Sequence, residues 1–203
     1  MGIAERKEKE KRAMRQRILV AAMELFVDFG FQRVSIRNIA EKIEYSPSTI
    51  YLYFSDKNAI LLELLNEGLD RLNEKILQHH QIADPVDRLI AYERCYLEFA
   101  LENPQYYEIM FIQGLPIQRP EDGFATEKGE RLYKVFEELL AECQAAGHLQ
   151  NQNVRELTIL LWSTLHGFCS LYIRQRLRFA NIDDASVHDF IERTLLTIRS
   201  WLR

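Results

Sequence analysis

The chain has 203 residues, 47% of them apolar and 28% charged, with 26 Lys and Arg against 30 Asp and Glu. That make-up suits a globular protein of one large domain or two small ones. No apolar run reaches the ~18 residues of a membrane span, and the charged N-terminus lacks the apolar core of a secretory signal, so a cytoplasmic protein without membrane association is expected. Cys95, Cys143 and Cys169 lie far apart with no C-x-x-C spacing, which points away from disulfides and zinc and towards small buried apolar side chains.

Charge is unevenly placed. Residues 1–58 carry eleven cations against eight acids, net +3, and residues 59–203 net −7, so a basic end can meet phosphate while an acidic body faces solvent. Residues 1–17 hold seven Lys or Arg against three acids. They read either as a DNA-contacting arm or as a solvated helix extension paired through Glu5, Glu8 and Glu10.

In chain order, Ile18, Ala22, Leu25 and Phe29 mark the first helix, closing at Gly30. Ser35 is an N-cap for a short helix whose apolar face is Ile36, Ile39, Ala40 and Ile43. Ser46 is a second cap, with Pro47 at the first helical position, where a missing N–H costs nothing. Only Glu44 and Tyr45 separate the two, the length of a helix-turn-helix corner that sets a helix into DNA. Ser55 would cap a long fourth helix, to about residue 79, marked by Leu61, Leu65, Leu69, Leu72 and Ile76. Leu89, Tyr92, Tyr96 and Phe99 mark a fifth, stopping before Pro104. A short sixth runs to about residue 112, a loop spans Gln113 to Gly123, and a seventh carries Leu132, Phe136, Leu139 and Cys143 up to Gly147. Residues 153–178 and 185–202 are the eighth and ninth. Strand patterns are missing, so the fold class is all-α with about nine helices: a three-helix DNA-binding domain over residues 1–58 and a helical bundle over 59–203.

Arg37 and Lys57 fall in first turns of helices, where a cation opposes the helix dipole unless a phosphate sits there too. Phosphate contact, with Tyr51 completing a clamp, is one reading, and simple solvation is the other. The second helix of the motif presents Pro47, Ser48, Thr49, Tyr51 and Tyr53 outward, with Ile50 and Phe54 inward. It has no Arg, Lys, Asn or Gln to make bidentate contacts with bases, so readout leans on hydroxyls, thymine methyls, DNA shape and Arg33.

These residues resemble the tetracycline-repressor (TetR) family of bacterial regulators. The resemblance rests on Leu25-Phe26-Val27-Asp28-Phe29-Gly30-Phe31, on Val34 to Ala40, and on Ser46 to Phe54 followed by Lys57. Glu44 stands where many relatives have Gly, so the turn lacks glycine's freedom at positive φ. Asn103-Pro104-Gln105-Tyr106-Tyr107 with Met110-Phe111, and the Trp-x-x-x-His-Gly run at Trp162 to Gly167, resemble one subset of the family. The resemblance implies a helical effector-binding and dimerisation domain. It also implies a homodimer on palindromic double-stranded DNA and a small apolar or amphipathic effector that releases a repressor, with no cofactor.

Tyr92, Tyr96, Phe99, Tyr107, Met110, Phe111, Phe136, Trp162 and His166 are the candidate pocket residues, or else plain core. The eighth helix is apolar on more than one face and must be buried on several sides. Trp162, His166, Cys169 and Ile173 are assigned to the interior. Ser163, Gly167 and Ser170, with Val187, Ile191, Thr194, Leu195 and Ile198, are assigned to a homodimer interface, the alternative being that both stripes serve the chain's own core. Ser163 and His166 sit three apart, but no oxyanion-hole loop, G-x-S-x-G, phosphate loop or H-E-x-x-H accompanies them, so no enzyme is expected. Adjacent His79 and His80 point about 100° apart on a helix and make no metal site. A helical protein-binding adaptor is the remaining alternative.

Overall fold

The structure, a computed structural model, describes residues 2–113 and 126–202. All regular structure among the described residues is helical: α1 (Ile3–Phe29), α2 (Ile36–Lys42), α3 (Pro47–Tyr51), α4 (Lys57–Leu77), α5 (Pro85–Glu102), α6 (Pro104–Tyr107), α7 (Glu127–Ala145), α8 (Val154–Ile173) and α9 (Val187–Leu202). Most of the expected loop from Gln113 to Gly123 lies outside the described residues. Two compact units are present: the described parts of Met1–Gly68 with Gln105–Thr126, and of Leu69–Pro104 with Glu127–Arg203. The boundary expected at residues 58 and 59 therefore falls inside α4, and the division runs instead at Gly68.

In the first unit, Ile18, Ala22 and Phe26 of α1 close on Ile39 and Ala40 of α2, Ile50 of α3, Phe54, and Ile60 and Leu64 of α4. Each of the Ile, Leu and Phe side chains removed from water contributes about 1.5–3 kcal/mol. Gly30 ends α1 at φ 80°, its N–H donating to Phe26 O at 2.9 Å. The segment after Pro104 belongs to this unit as well: Ile109 is buried in the same core, Tyr106 donates to Glu67 Oε2 at 2.6 Å, and Gln113 Nε2 donates to Phe26 O at 2.7 Å. Here the sixth helix departs from expectation, changing after Tyr107 into a π-helical turn, Glu108–Ile112.

In the second unit α5 is central and packs on α7, α8 and α9. Asp84 caps it by accepting Asp87 N–H at 2.8 Å, with Pro85 at its first position. Arg88 pairs with Glu142 of α7, Arg94 with Glu192 of α9, and Arg199 of α9 with Asp87. Asn153 caps α8, and α7 ends at Ala145, two residues before Gly147 at φ 96°. The eighth helix stops at Ile173 rather than 178, where Gln175 turns left-handed at φ 55°. All three cysteines are buried thiols outside any disulfide.

Candidate nucleic-acid interface

Both expected caps of the helix-turn-helix form. Ser35 Oγ accepts Asn38 N–H at 3.2 Å while Asn38 Oδ1 takes Ser35 N–H at 2.9 Å, a reciprocal pair that satisfies two donors otherwise orphaned at a helix start. Ser46 Oγ accepts Thr49 N–H at 3.3 Å and lies 2.9 Å from Ser48 Oγ and 3.1 Å from Thr49 Oγ1. Between the helices Glu44 adopts φ 61°, a left-handed conformation that costs a side-chain-bearing residue about 1–2 kcal/mol. The turn is held by Tyr45 N–H donating to Ala40 O at 2.9 Å and by an Arg17 guanidinium N–H donating to Ile43 O at 2.9 Å. Arg17 also lies over the Tyr45 ring, 5.2 Å from its centre.

Arg15 braces the far end of the motif. It pairs with Glu63, donates to Tyr53 O at 2.8 Å and stands 4.2 Å over the Phe54 ring. Two of the arm's cations thus serve the fold, which counting charge along the sequence does not reveal. Their signal was positional: Arg15 lies one helical turn before Ile18 and Leu19 and Arg17 directly before them, where a long side chain reaches around the core. Nearer the N-terminus the arm is a continuation of α1, with Arg6 paired to Glu10 at 2.8 Å.

The structure differs from expectation at Lys57 and its cap. Asp56, not Ser55, caps α4, its Oδ1 accepting Ala59 N–H at 2.8 Å, so a carboxylate occupies the helix end at which a phosphate was expected. Lys57 turns inward: Nζ donates to Phe31 O and Val34 O, both at 2.7 Å, and sits 4.1 Å over the Phe31 ring. Burial lowers its pKa. The cation latches the end of the 3-10 turn Phe31–Arg33 to α4. Tyr53 is half-buried against the core instead of outward.

Most of the other residues singled out in the motif are outward. Arg33, Ser35, Arg37, Ser46, Pro47 and Ser48 are exposed and Thr49 is half-buried; Tyr45, Tyr51 (57%) and Leu52 (78%) expose large apolar surface. Neither Arg33 nor Arg37 is held in an ion pair among the described residues. Leu52 was passed over in the sequence because an apolar residue next to a buried run reads as core. The exposed set carries guanidinium groups, hydroxyls, rings and an aliphatic side chain, and it lies on and beside two short helices that each begin with a serine cap.

In the second unit the structure brings several pocket candidates together. Trp162 Nε1 donates to Tyr96 OH at 3.2 Å, the Tyr92 and Phe136 rings meet edge to face at 6.0 Å, and Tyr133 approaches Trp162 at 6.5 Å. Phe99 is wholly buried, and burial lowers the pKa of the half-buried His166. Tyr107, Met110 and Phe111 belong instead to the first unit; Tyr107 is fully buried and packs on Phe111 at 5.1 Å. Met110 lies against Gly68, where an added Cβ would meet its sulfur at 2.3 Å. Tyr133 and the buried Glu93 were missed by sequence reasoning, Glu93 because a lone acid in an apolar helix looks like a solvated one.

The assignment of α9 to an interface is corrected. Val187, Ile191, Leu195 and Ile198 are all buried within the chain's own second unit, where α9 covers α5; an apolar stripe shows that a face is buried but not by which chain. Thr194 is half-buried at its edge, Ser163 is exposed, and Gly167 and Ser170 are half-buried. Opposite the core face of α8, formed by Thr158, Leu165 and Cys169, runs an outward line of Leu160, Thr164, Gly167 and Leu171.

Two capped helices across a tight corner, mounted on a three-helix core with a free polar and aromatic face, define a helix-turn-helix DNA-binding protein. Comparison with known proteins refines the class. The family described as "Bacterial regulatory proteins, tetR family" matches residues 18–64, and "Tetracyclin repressor-like, C-terminal domain" matches residues 89–197. The chain belongs to the TetR family of transcriptional regulators. It is 24% identical over 185 residues to the uncharacterized HTH-type transcriptional regulator YobS of Bacillus subtilis (strain 168), covering 91% of this chain and 88% of that protein. It is 25% identical over 190 residues to the HTH-type transcriptional regulator HbdR of Aromatoleum sp. (strain CIB), covering 91% and 78%. Among solved structures it is similar in fold to the fatty acid degradation regulator FadR from Bacillus halodurans, with a TM-score of 0.70, 19% identity and coverage of 90% and 94%. No helix among the described residues is long and apolar enough to cross a membrane.

Proposed function

We propose that the protein is a cytoplasmic repressor that binds a palindromic operator as a homodimer and leaves it when a small amphipathic effector enters the second unit. The observation that carries the DNA-binding face is the exposure of Arg33 and Arg37 beside Ser48, Tyr51 and Leu52 on a doubly capped helix pair. Arg37 supplies phosphate contact, while Tyr51, Leu52 and the Thr49 methyl supply apolar contact with thymine. Lys57 and Tyr53 support this face from behind.

The dimer reading rests on the outward side of α8. Leu160 and Leu171 expose 62% and 47% of their surface in line with Gly167, and Trp201 of α9 exposes 69%. Thr164 donates to Leu160 O and Thr197 to Arg193 O, each at 2.9 Å, so covering these two hydroxyls leaves both paired. Small residues at Ser163, Gly167 and Ser170 let a second copy of α8 approach closely. Two copies then present two recognition helices to half-sites about 34 Å apart or a multiple of that distance. The effector reading rests on the aromatic interior around Tyr92, Tyr96, Phe136 and Trp162, with His166 at its edge. A ligand that favours one conformer shifts operator affinity by its differential binding to the two.

Selecting bound fragments from random DNA is expected to return a two-fold palindrome, and Leu171→Glu is expected to sediment as a monomer with at least tenfold weaker operator binding. An unsymmetrical selected site bound equally well by the Leu171→Glu protein would refute the dimeric reading.

A further inference from the structure

Glu93 lies on α5 in the middle of the second unit with 1% of its surface exposed, and neither carboxyl oxygen has a hydrogen-bond partner among the described residues. Buried acids are ordinarily paired. Four cations of the surrounding helices pair with other groups: Arg88 with Glu142 and Ile82 O, Arg94 with Glu192, Arg199 through its Nη2 with Asp87, and Lys75 with Glu102. Burial alone moves the acid, pushing it up to about 8 with no neighbouring cation to offset it. The carboxyl is also close enough to Cys143 of α7 to bear on that thiol.

Aromatic residues flank Glu93 along α5. Tyr92 precedes Glu93 and Tyr96 follows one turn on; Phe136 meets the first ring and Trp162 is hydrogen-bonded to the second. Ring faces attract cations, most strongly where water is excluded. An unpaired acid beside such rings offers what a protonated amine lacks in an apolar interior, a counter-charge and acceptors for its N–H groups.

We propose that the second unit binds an amphipathic primary amine, with Glu93 as its counter-charge and the rings of Tyr92, Tyr96, Phe136 and Trp162 around the ammonium and its apolar tail. This rests on the reading of that unit as an effector-binding domain and names the chemistry of the effector. The ammonium enters already protonated, Glu93 gives its proton to solvent, and an ion pair is left inside. An alcohol of equal length cannot drive that exchange, and a carboxylate adds a second acid to the first.

The test uses the full chain and three probes of equal length, decylammonium, decanol and decanoate, titrated calorimetrically at pH 7 in two buffers of different ionisation enthalpy. Wild-type protein is expected to bind decylammonium at least tenfold more tightly than the other two, with release of close to one proton. Glu93→Gln, its fold checked by circular dichroism, is expected to lose both the preference and the proton release. Should that variant not fold, proton release by the wild type decides. Absence of amine binding, binding no tighter than that of decanol, no proton release, or a preference kept by Glu93→Gln overturns the proposal. Adding the selected operator fragment separates the two readings. Amine bound through Glu93 without a change in operator affinity keeps the site and removes the effector role; release by decanol or decanoate alone keeps the effector role and removes the amine site.

Discussion

Replacing Lys57 with Met keeps the length of the side chain and removes its charge. Two charge-assisted hydrogen bonds at 2.7 Å, to Phe31 O and Val34 O, disappear, each worth about 1.5–3 kcal/mol, along with a cation–π contact worth about 0.5–1 kcal/mol. Relief of the burial that lowers the Lys57 pKa returns part of this, leaving a net loss of about 2–4 kcal/mol. Both tryptophans, Trp162 and Trp201, lie in the second unit, so unfolding in urea is best followed by circular dichroism, with operator titrations across a range of salt on the folded protein. Lys57→Met is expected to melt at lower urea while keeping the wild-type slope of log affinity against log salt. Arg37→Ala is expected to do the reverse, with stability within about 0.5 kcal/mol of wild type and a slope smaller by about one. A Lys57→Met protein of full stability whose salt slope falls by about one would refute the latch and restore the phosphate contact.

Glu44→Gly relieves a left-handed φ worth about 1–2 kcal/mol against an entropic cost of about 0.5–1 kcal/mol for glycine, so the variant should gain about 0.5–1 kcal/mol in urea denaturation; a loss would mean that the Glu44 side chain itself holds the turn. Glu93 has a folded pKa raised from 4.5 to about 8, so the folded state holds its proton more tightly than the unfolded one. Stability from this group is full below about pH 4.5 and is lost as pH rises towards 8, by an amount on the order of several kcal/mol. Urea melts at pH 5, 7 and 8.5 should show that decline in wild type and a flatter profile in Glu93→Gln, and equal profiles would contradict an uncharged buried acid.

The helix-turn-helix was legible because its determinants are local. Ser35, Ser46 and Pro47 each act on a backbone group within three residues, so the residue types alone announce the caps. Glu44 marked the turn only as a departure, since its left-handed backbone is imposed by Ala40 and Arg17 closing the corner around it. The role of Lys57 was hidden because a first-turn cation looks the same in sequence whether it faces phosphate or two carbonyls some 25 residues earlier. Periodicity found the apolar faces of α8 and α9 but could not say which neighbour covers each, hence the correction at Val187, Ile191, Leu195 and Ile198. Aromatic content likewise pointed to Tyr107, Met110 and Phe111 without showing that the segment after Pro104 belongs to the other unit.

That last feature bears on how such a protein can be recombined. The first unit is made of two stretches of chain, and the second stretch delivers Ile109 to its core and Gln113 to the end of α1. A chimera joined at one point near residue 58 or 68 would leave that core without its inserted segment and the segment without its seat. Exchanging DNA specificity between relatives of this chain therefore calls either for two matched junctions or for substitutions confined to the exposed face around Arg37, Tyr51 and Leu52.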